Sequence, residues 1–174
     1  PVVLDPVFLL TAEEWGQVSI NPTIKDKYIF VYDALCDPDT ISVAKKIAKK
    51  TGFKIVCQTL GSRVSYDIDI QLYDSGPSEF IGLVKNAEYV VTDSFHGTAF
   101  SVVFEKPFIS YIVAPKVSSR IRSIAALLNL SDRIIEHGKI NEFQYDELKL
   151  VDYSDKLSGL INSSLKYIKA STKS

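Results

Sequence analysis

The sequence has no methionine, two cysteines, two histidines and no excess of charge of either sign, and each scarcity removes a class of protein. Cys36 and Cys57 are too few and too far apart for a disulfide framework, and with His96 and His137 they make no recognisable metal-ligand cluster. A reducing, cytosolic setting fits that cysteine usage. Twenty Lys and Arg stand against 21 Asp and Glu, a formal net charge of −1, so nothing global marks nucleic acid as a partner and any anion site must be local. No apolar run is long enough to span a bilayer, and no basic-then-apolar leader ends in small residues. The lack of Met, with an opening P-V-V-L-D-P that reads as an interdomain connection, makes a fragment of a longer protein the expectation.

What is present is a chain of 174 residues, 46% hydrophobic and 24% charged, the size and composition of one globular domain with a substantial core. No internal repeat or low-complexity tract occurs. Residues 28–33 (YIFVYD) form a compact β-rich run, and Asp37-Pro38 behind it is an N-cap and first-turn pair that starts a helix. Ile41, Ala44, Ile47 and Ala48 share one face of that helix, Gly52 stops it, and Lys45, Lys46, Lys49 and Lys50 read as a solvated face complementing the helix dipole. Residues 54–60 supply a second strand. Residues 61–75 are polar and irregular, a candidate mobile loop with a short strand near 68–73.

Gly76-Pro77-Ser78-Glu79 opens the next helix, with Phe80, Ile81, Val84 and Ala87 as its inner stripe. Residues 89–92 are a third strong strand, a helix follows from Ser94 with Ala99, Val102 and Val103 inward, and Lys106-Pro107 ends it. Residues 107–113 read as another buried strand. Ser118 and Ser119 cap a helix facing inward through Ile121, Ile124, Ala125 and Leu128, and a last helix spans 154–168. Strands alternating with helices predict an α/β fold, a mostly parallel sheet covered on both faces.

In open α/β sheets ligands bind beyond the carboxyl ends of the strands, where helix N-termini offer unpaired N–H groups. The run V-V-T-D-S-F-H-G-T-A-F occupies that place. Ser94 can cap the helix, Gly97 can let a ligand approach the backbone, and Thr98 offers a first-turn hydroxyl. His96 projects from the rim, either to bind an anion or exchange a proton, or as a first-turn residue bonded to a neighbouring carbonyl. Phe95 reads as core or wall, and Asp93 either orients the loop or touches substrate. Glu79 either complements its own helix or binds substrate. Arg120 lies in a first turn, where a cation opposes the dipole unless an anionic ligand or a carboxylate compensates. Arg122 and Arg133 are weaker candidates of the same kind, more often surface residues, and His137, in a polar stretch, reads as surface. Walker, G-x-G-x-x-G, G-x-S-x-G and H-E-x-x-H motifs are all missing, so the residues by themselves name no reaction.

Residues 76–108, G-P-S-E-F-I-G-L-V-K-N-A-E-Y-V-V-T-D-S-F-H-G-T-A-F-S-V-V-F-E-K-P-F, strongly resemble the core of the polysaccharide pyruvyl transferase family. L-D-P-V-F-L-L at 4–10 and S-S-R-I-R-S-I-A-A-L-L-N-L at 118–130 are similar to its flanking features. The resemblance implies the C-terminal, Rossmann-like half of a GT-B-type enzyme, with residues 1–25 as interdomain connection or N-terminal extension and 26–174 as the domain. It implies transfer of a pyruvyl group from phosphoenolpyruvate to a sugar of a bacterial cell-surface polysaccharide or exopolysaccharide as a ketal, in the cytoplasm or at the inner face of the membrane, with no cofactor beyond the donor. On this reading His96 and the Phe95 backbone bind the donor, His96 supplies a proton, Arg120 is an anion partner, and an N-terminal half absent from the sequence adds further basic residues. A nucleotide-sugar glycosyltransferase and a non-catalytic carbohydrate-binding domain are the alternatives.

Overall fold

The structure, a computed structural model, describes residues 3–60, 64–114, 118–143 and 151–172. Six strands make one sheet: β1 (Tyr28–Asp33), β2 (Lys54–Thr59), β3 (Ile70–Leu72), β4 (Tyr89–Thr92), β5 (Phe108–Ile112) and β6 (Ile134–Glu136). They lie in the order β3-β2-β1-β4-β5-β6 and every neighbouring pair is parallel. This is the doubly wound order in which the chain reverses direction across the sheet between β1 and β4.

Alternation along the strands divides the core in two. Phe30, Val56 and Val90 face one side, with α3 (Pro77–Asn86), α4 (Phe95–Val103) and α5 (Ser119–Leu127). Ile29, Val31, Ile55, Cys57, Val91, Ile109 and Tyr111 face the other, under α2 (Pro38–Thr51). Strands buried on both faces need continuous apolar runs, and β1 has one in Tyr28-Ile29-Phe30-Val31. Each fully buried side chain of that kind contributes roughly 1.5–3 kcal/mol by leaving water.

Helix α2 forms where its local signals put it. Asp37 accepts the Asp39 N–H, and Gly52 ends the helix at φ 73°, the left-handed conformation that glycine adopts without strain. The lysine face is less uniform than the sequence implies: Lys46 Nζ donates to the Ile140 and Phe143 carbonyls, at 2.7 and 3.3 Å, tying α2 to the segment after β6. Residues 61–63 of the expected irregular loop lie outside the described residues. Residues 64–69 are held in place, since the Tyr66 hydroxyl donates to Asp33 and Asp69 accepts the Ile55 N–H.

Within residues 3–25, Leu4, Val7, Phe8, Trp15 and Ile24 pack on the sheet's α3–α4 side. Val7 and Phe8 are buried in that core, and a short helix, α1 (Ala12–Gln17), carries Trp15. The Trp15 indole N–H donates to the Val7 carbonyl, and its ring meets Phe100 edge-on at 4.9 Å. At Gly82 a Cβ would stand 1.8 Å from the Ile20 carbonyl oxygen, so only glycine lets this segment cross α3. The last helix, α6 (Ser154–Ser171), extends beyond the expected 154–168, and its buried Ser164 accepts the Leu4 N–H. Among the described residues no helix is long and apolar enough to cross a membrane.

Candidate functional site

Because all six strands are parallel, their carboxyl ends share one edge, with the α2 and α4 N-termini on either side of the β1/β4 reversal. The crevice there is bridged by protein. Asp93, buried at the end of β4, accepts the Ala34 and Leu35 N–H groups behind β1, both at 2.7 Å. Beside it the fully buried Asp33 accepts the Asp37 N–H at 3.1 Å and the Tyr66 hydroxyl at 2.6 Å. Burial pushes the Asp93 carboxyl up to about 6, against the pull of its two amide bonds, and the Asp33 charge adds to the rise. Burial also raises Asp33. Two adjacent carboxylates of this kind titrate as a pair. Of the two roles open to Asp93, orienting the loop is the one its geometry fulfils: both carboxylate oxygens are taken by backbone.

The side-chain positions of Gly97 and Thr98 likewise face inward. A Cβ on Gly97 would lie 2.2 Å from Thr92 Oγ1, so the glycine lets α4 seat against β4. Thr98 is fully buried, its hydroxyl donating to the Ser94 carbonyl at 3.0 Å and sharing a 2.7 Å bond with Ser110. Ser94 holds the N-cap position, but its side chain makes no cap bond; the Ser94 N–H is bound instead by Thr92 Oγ1. Ser118 also caps nothing with its side chain, because its hydroxyl donates to the Ala114 carbonyl and accepts from Arg122.

Two exposed side chains flank the buried Phe95. His96 is exposed, its ring edge-on to Phe95 with centroids 5.6 Å apart. The Arg120 guanidinium lies over the face of the same ring, 4.5 Å from its centroid. Arg120 is 63% exposed and reaches Asp5 only at 3.9 Å, a contact worth little in water. Phe95, Arg120 and Asp5 border a cleft of about 860 Å³ whose inner wall is apolar, with Phe8, Ile124 and Leu160. Glu79 is not among its lining residues; its carboxylate folds over the start of its own helix, where a Cβ on Gly76 would stand 3.0 Å from Oε2.

Two further arginines are held by carboxylates. Arg122 grips Glu136 through two bonds, at 3.0 and 2.6 Å, and Arg133 is buried beside Asp132, so neither is the simple surface residue expected. Sequence reasoning passed over Asp33 and the contact of His137 with Tyr111. The signal for Asp33 was available, since an acid ending an apolar strand of a parallel sheet lies at the ligand-binding edge.

A family model described as polysaccharide pyruvyl transferase matches residues 1–114, a stretch that includes the His96 loop and stops before Arg120. No curated protein matches the chain. Among solved structures, one titled as the glycotransferase of kitacinnamycin is similar over 85% of this chain, at 14% identity and a TM-score of 0.49. The chain spans 41% of that protein's length.

Proposed function

Because the chain belongs to the polysaccharide pyruvyl transferase family, we propose that it carries the donor-binding loop of an enzyme that moves a pyruvyl group from phosphoenolpyruvate onto a sugar as a ketal. The observation that supports this reading is the Phe95 ring with an exposed imidazole at its edge and a weakly paired guanidinium on its face. Phosphoenolpyruvate carries a phosphate and a carboxylate, and both groups are anion partners of the kind that His⁺ and Arg bind.

In the proposed reaction the methylene carbon is protonated, sugar hydroxyls add at the neighbouring carbon and phosphate leaves. His96 binds the donor and supplies the proton, the Phe95 N–H and the Ser94 hydroxyl contact the anion, and Arg120 neutralises charge. Asp93, Gly97 and Thr98 set the shape of the loop without touching substrate. Further basic groups come from an N-terminal domain of the same protein, so this chain alone turns over no substrate. The expected compartment is the cytoplasm, where phosphoenolpyruvate is made.

The test is thermal stability of the full-length protein with phosphoenolpyruvate or a nucleotide sugar, because a ligand that binds only the folded state stabilises by RT ln(1 + [L]/Kd). Protection by phosphoenolpyruvate that is lost in His96→Ala is expected. Protection by uridine or guanosine diphosphate sugars with indifference to phosphoenolpyruvate would replace this reading with glycosyl transfer. Sugar binding that ignores His96→Ala would replace it with a non-catalytic carbohydrate-binding domain.

A further inference from the structure

A second polar group lies at the carboxyl edge, on the same face of the sheet as Phe95 and Arg120. Tyr32 on β1 stands level with Gln58 on β2 and Thr92 on β4, and side chains at level positions of parallel strands share a face. That face is the α3–α4 one: the Tyr32 ring packs on Phe80 of α3, with centroids 4.5 Å apart, and Phe80 meets Phe100 of α4 edge-on at 5.5 Å. Burial raises the Tyr32 hydroxyl and the Asp93 charge adds to the rise, which puts the start of the His96 loop within electrostatic reach of it.

Gln58 is 2% exposed, and its amide is only half used. Nε2 donates to the Ser75 carbonyl at 3.0 Å, which fixes the amide's orientation and leaves Oε1 buried with no donor among the described residues. Folded proteins rarely leave such an acceptor unmet. Ser75 leads directly into α3, so this oxygen lies at the helix N-terminus. There Gly76 has no side chain to cap with and Pro77 has no N–H, which leaves the Ser78 and Glu79 N–H groups as open first-turn donors. The Glu79 carboxylate folds over the same turn. The Tyr32 hydroxyl, half-buried, makes no hydrogen bond among the described residues.

The mixture of open donors and acceptors selects the ligand. An anion brings acceptors only and would meet the Glu79 carboxylate. A cation brings donors only and would meet the positive end of α3. A hydroxyl brings both, and a sugar presents several at once. We propose that Tyr32, Gln58 and Glu79, with the first turn of α3, form the subsite for a ring of the acceptor sugar. Gln58 Oε1 and the Glu79 carboxylate accept from its hydroxyls, while the Ser78 N–H and the Tyr32 hydroxyl donate to them. That the sugar is an acceptor rests on the pyruvyl-transfer reading; that the ligand is a sugar rests on the donors and acceptors alone.

The test titrates the full-length protein with the methyl glycosides of glucose, galactose and mannose by saturation-transfer NMR, with thermal protection by phosphoenolpyruvate measured in parallel. Wild type should bind at least one glycoside, and the Gln58 side-chain amide signals should shift as it does. Tyr32→Phe keeps the ring on Phe80 and should weaken that binding about three- to tenfold, the effect of one neutral hydrogen bond. Glu79→Gln should weaken it about tenfold or more, the effect of a charged one. Protection by phosphoenolpyruvate should persist in both variants. A wild type that binds none of the three glycosides overturns the subsite, as does binding within twofold of wild type in both variants. Glycoside binding that both substitutions weaken, in a protein indifferent to phosphoenolpyruvate, upholds the sugar site and refutes pyruvyl transfer.

Discussion

Replacing Asp93 by Asn tests the central structural claim, that a buried carboxylate staples the β1 and β4 loops. Burial raises the Asp93 carboxyl from the ordinary 3.8 to about 6, with Asp33 adding to the effect. A group whose folded-state value is raised stabilises the protein fully below its unfolded value, and that contribution is lost as pH rises through the folded value. Wild-type protein should therefore lose roughly 3 kcal/mol from this group between about pH 4 and pH 7. Asn cannot ionise, so Asp93→Asn lacks that loss. It keeps one acceptor for the Ala34 and Leu35 amides and turns its NH₂ towards the other, at a pH-independent cost of about 1–3 kcal/mol. Urea unfolding of both proteins at intervals from pH 4 to 8 gives the comparison. The variant should gain on wild type by roughly 2–3 kcal/mol across that window, with the steepest change near pH 5, midway between the unfolded and folded values. Parallel stability curves would refute the claim that Asp93 is held with a raised value in the fold.

Gly97→Ala places a Cβ against Thr92 and should cost about 1–3 kcal/mol by overpacking. Gly159→Ala on α6, with nothing within 4 Å, should instead stabilise by roughly 0.5–1 kcal/mol in the same denaturant assay. Arg120→Ala should weaken phosphoenolpyruvate protection in thermal shift while changing stability by less than about 1 kcal/mol, since its Asp5 contact is long and exposed. His96→Ala should lower pyruvyl transfer about 10²- to 10⁴-fold. Circular dichroism and melting temperature should stay at wild-type values, because His96 is exposed.

The elements that the sequence made legible carry their signals within a few residues. Tyr28–Asp33 announces itself as one apolar run, and α2 is bounded by Asp37-Pro38 at one end and Gly52 at the other. Strand β6 escaped notice because Ile134–Glu136 is three residues long and owes its extended form to pairing with β5. Ser94 and Ser118 occupy N-cap positions without a side-chain cap bond; the Ser118 hydroxyl is claimed by Ala114 and Arg122, and a one-dimensional pattern does not record that competition.

The site divides along the same line. The residues alone placed the Asp93–Gly97 loop at the carboxyl edge, because strand, Gly and helix start follow one another in the chain, and the surrounding stretch carried the family resemblance. Which side chains of that loop face out was decided by packing. Gly97 is spent on Thr92, Thr98 on Ser110 and Asp93 on the β1 amides, leaving His96 exposed beside the buried Phe95 ring, over which Arg120 is laid. Each partner is remote in sequence or lies on another element, brought into range by the parallel sheet. Local pattern thus determined where the loop stands, and tertiary contact determined which of its atoms remain free for chemistry.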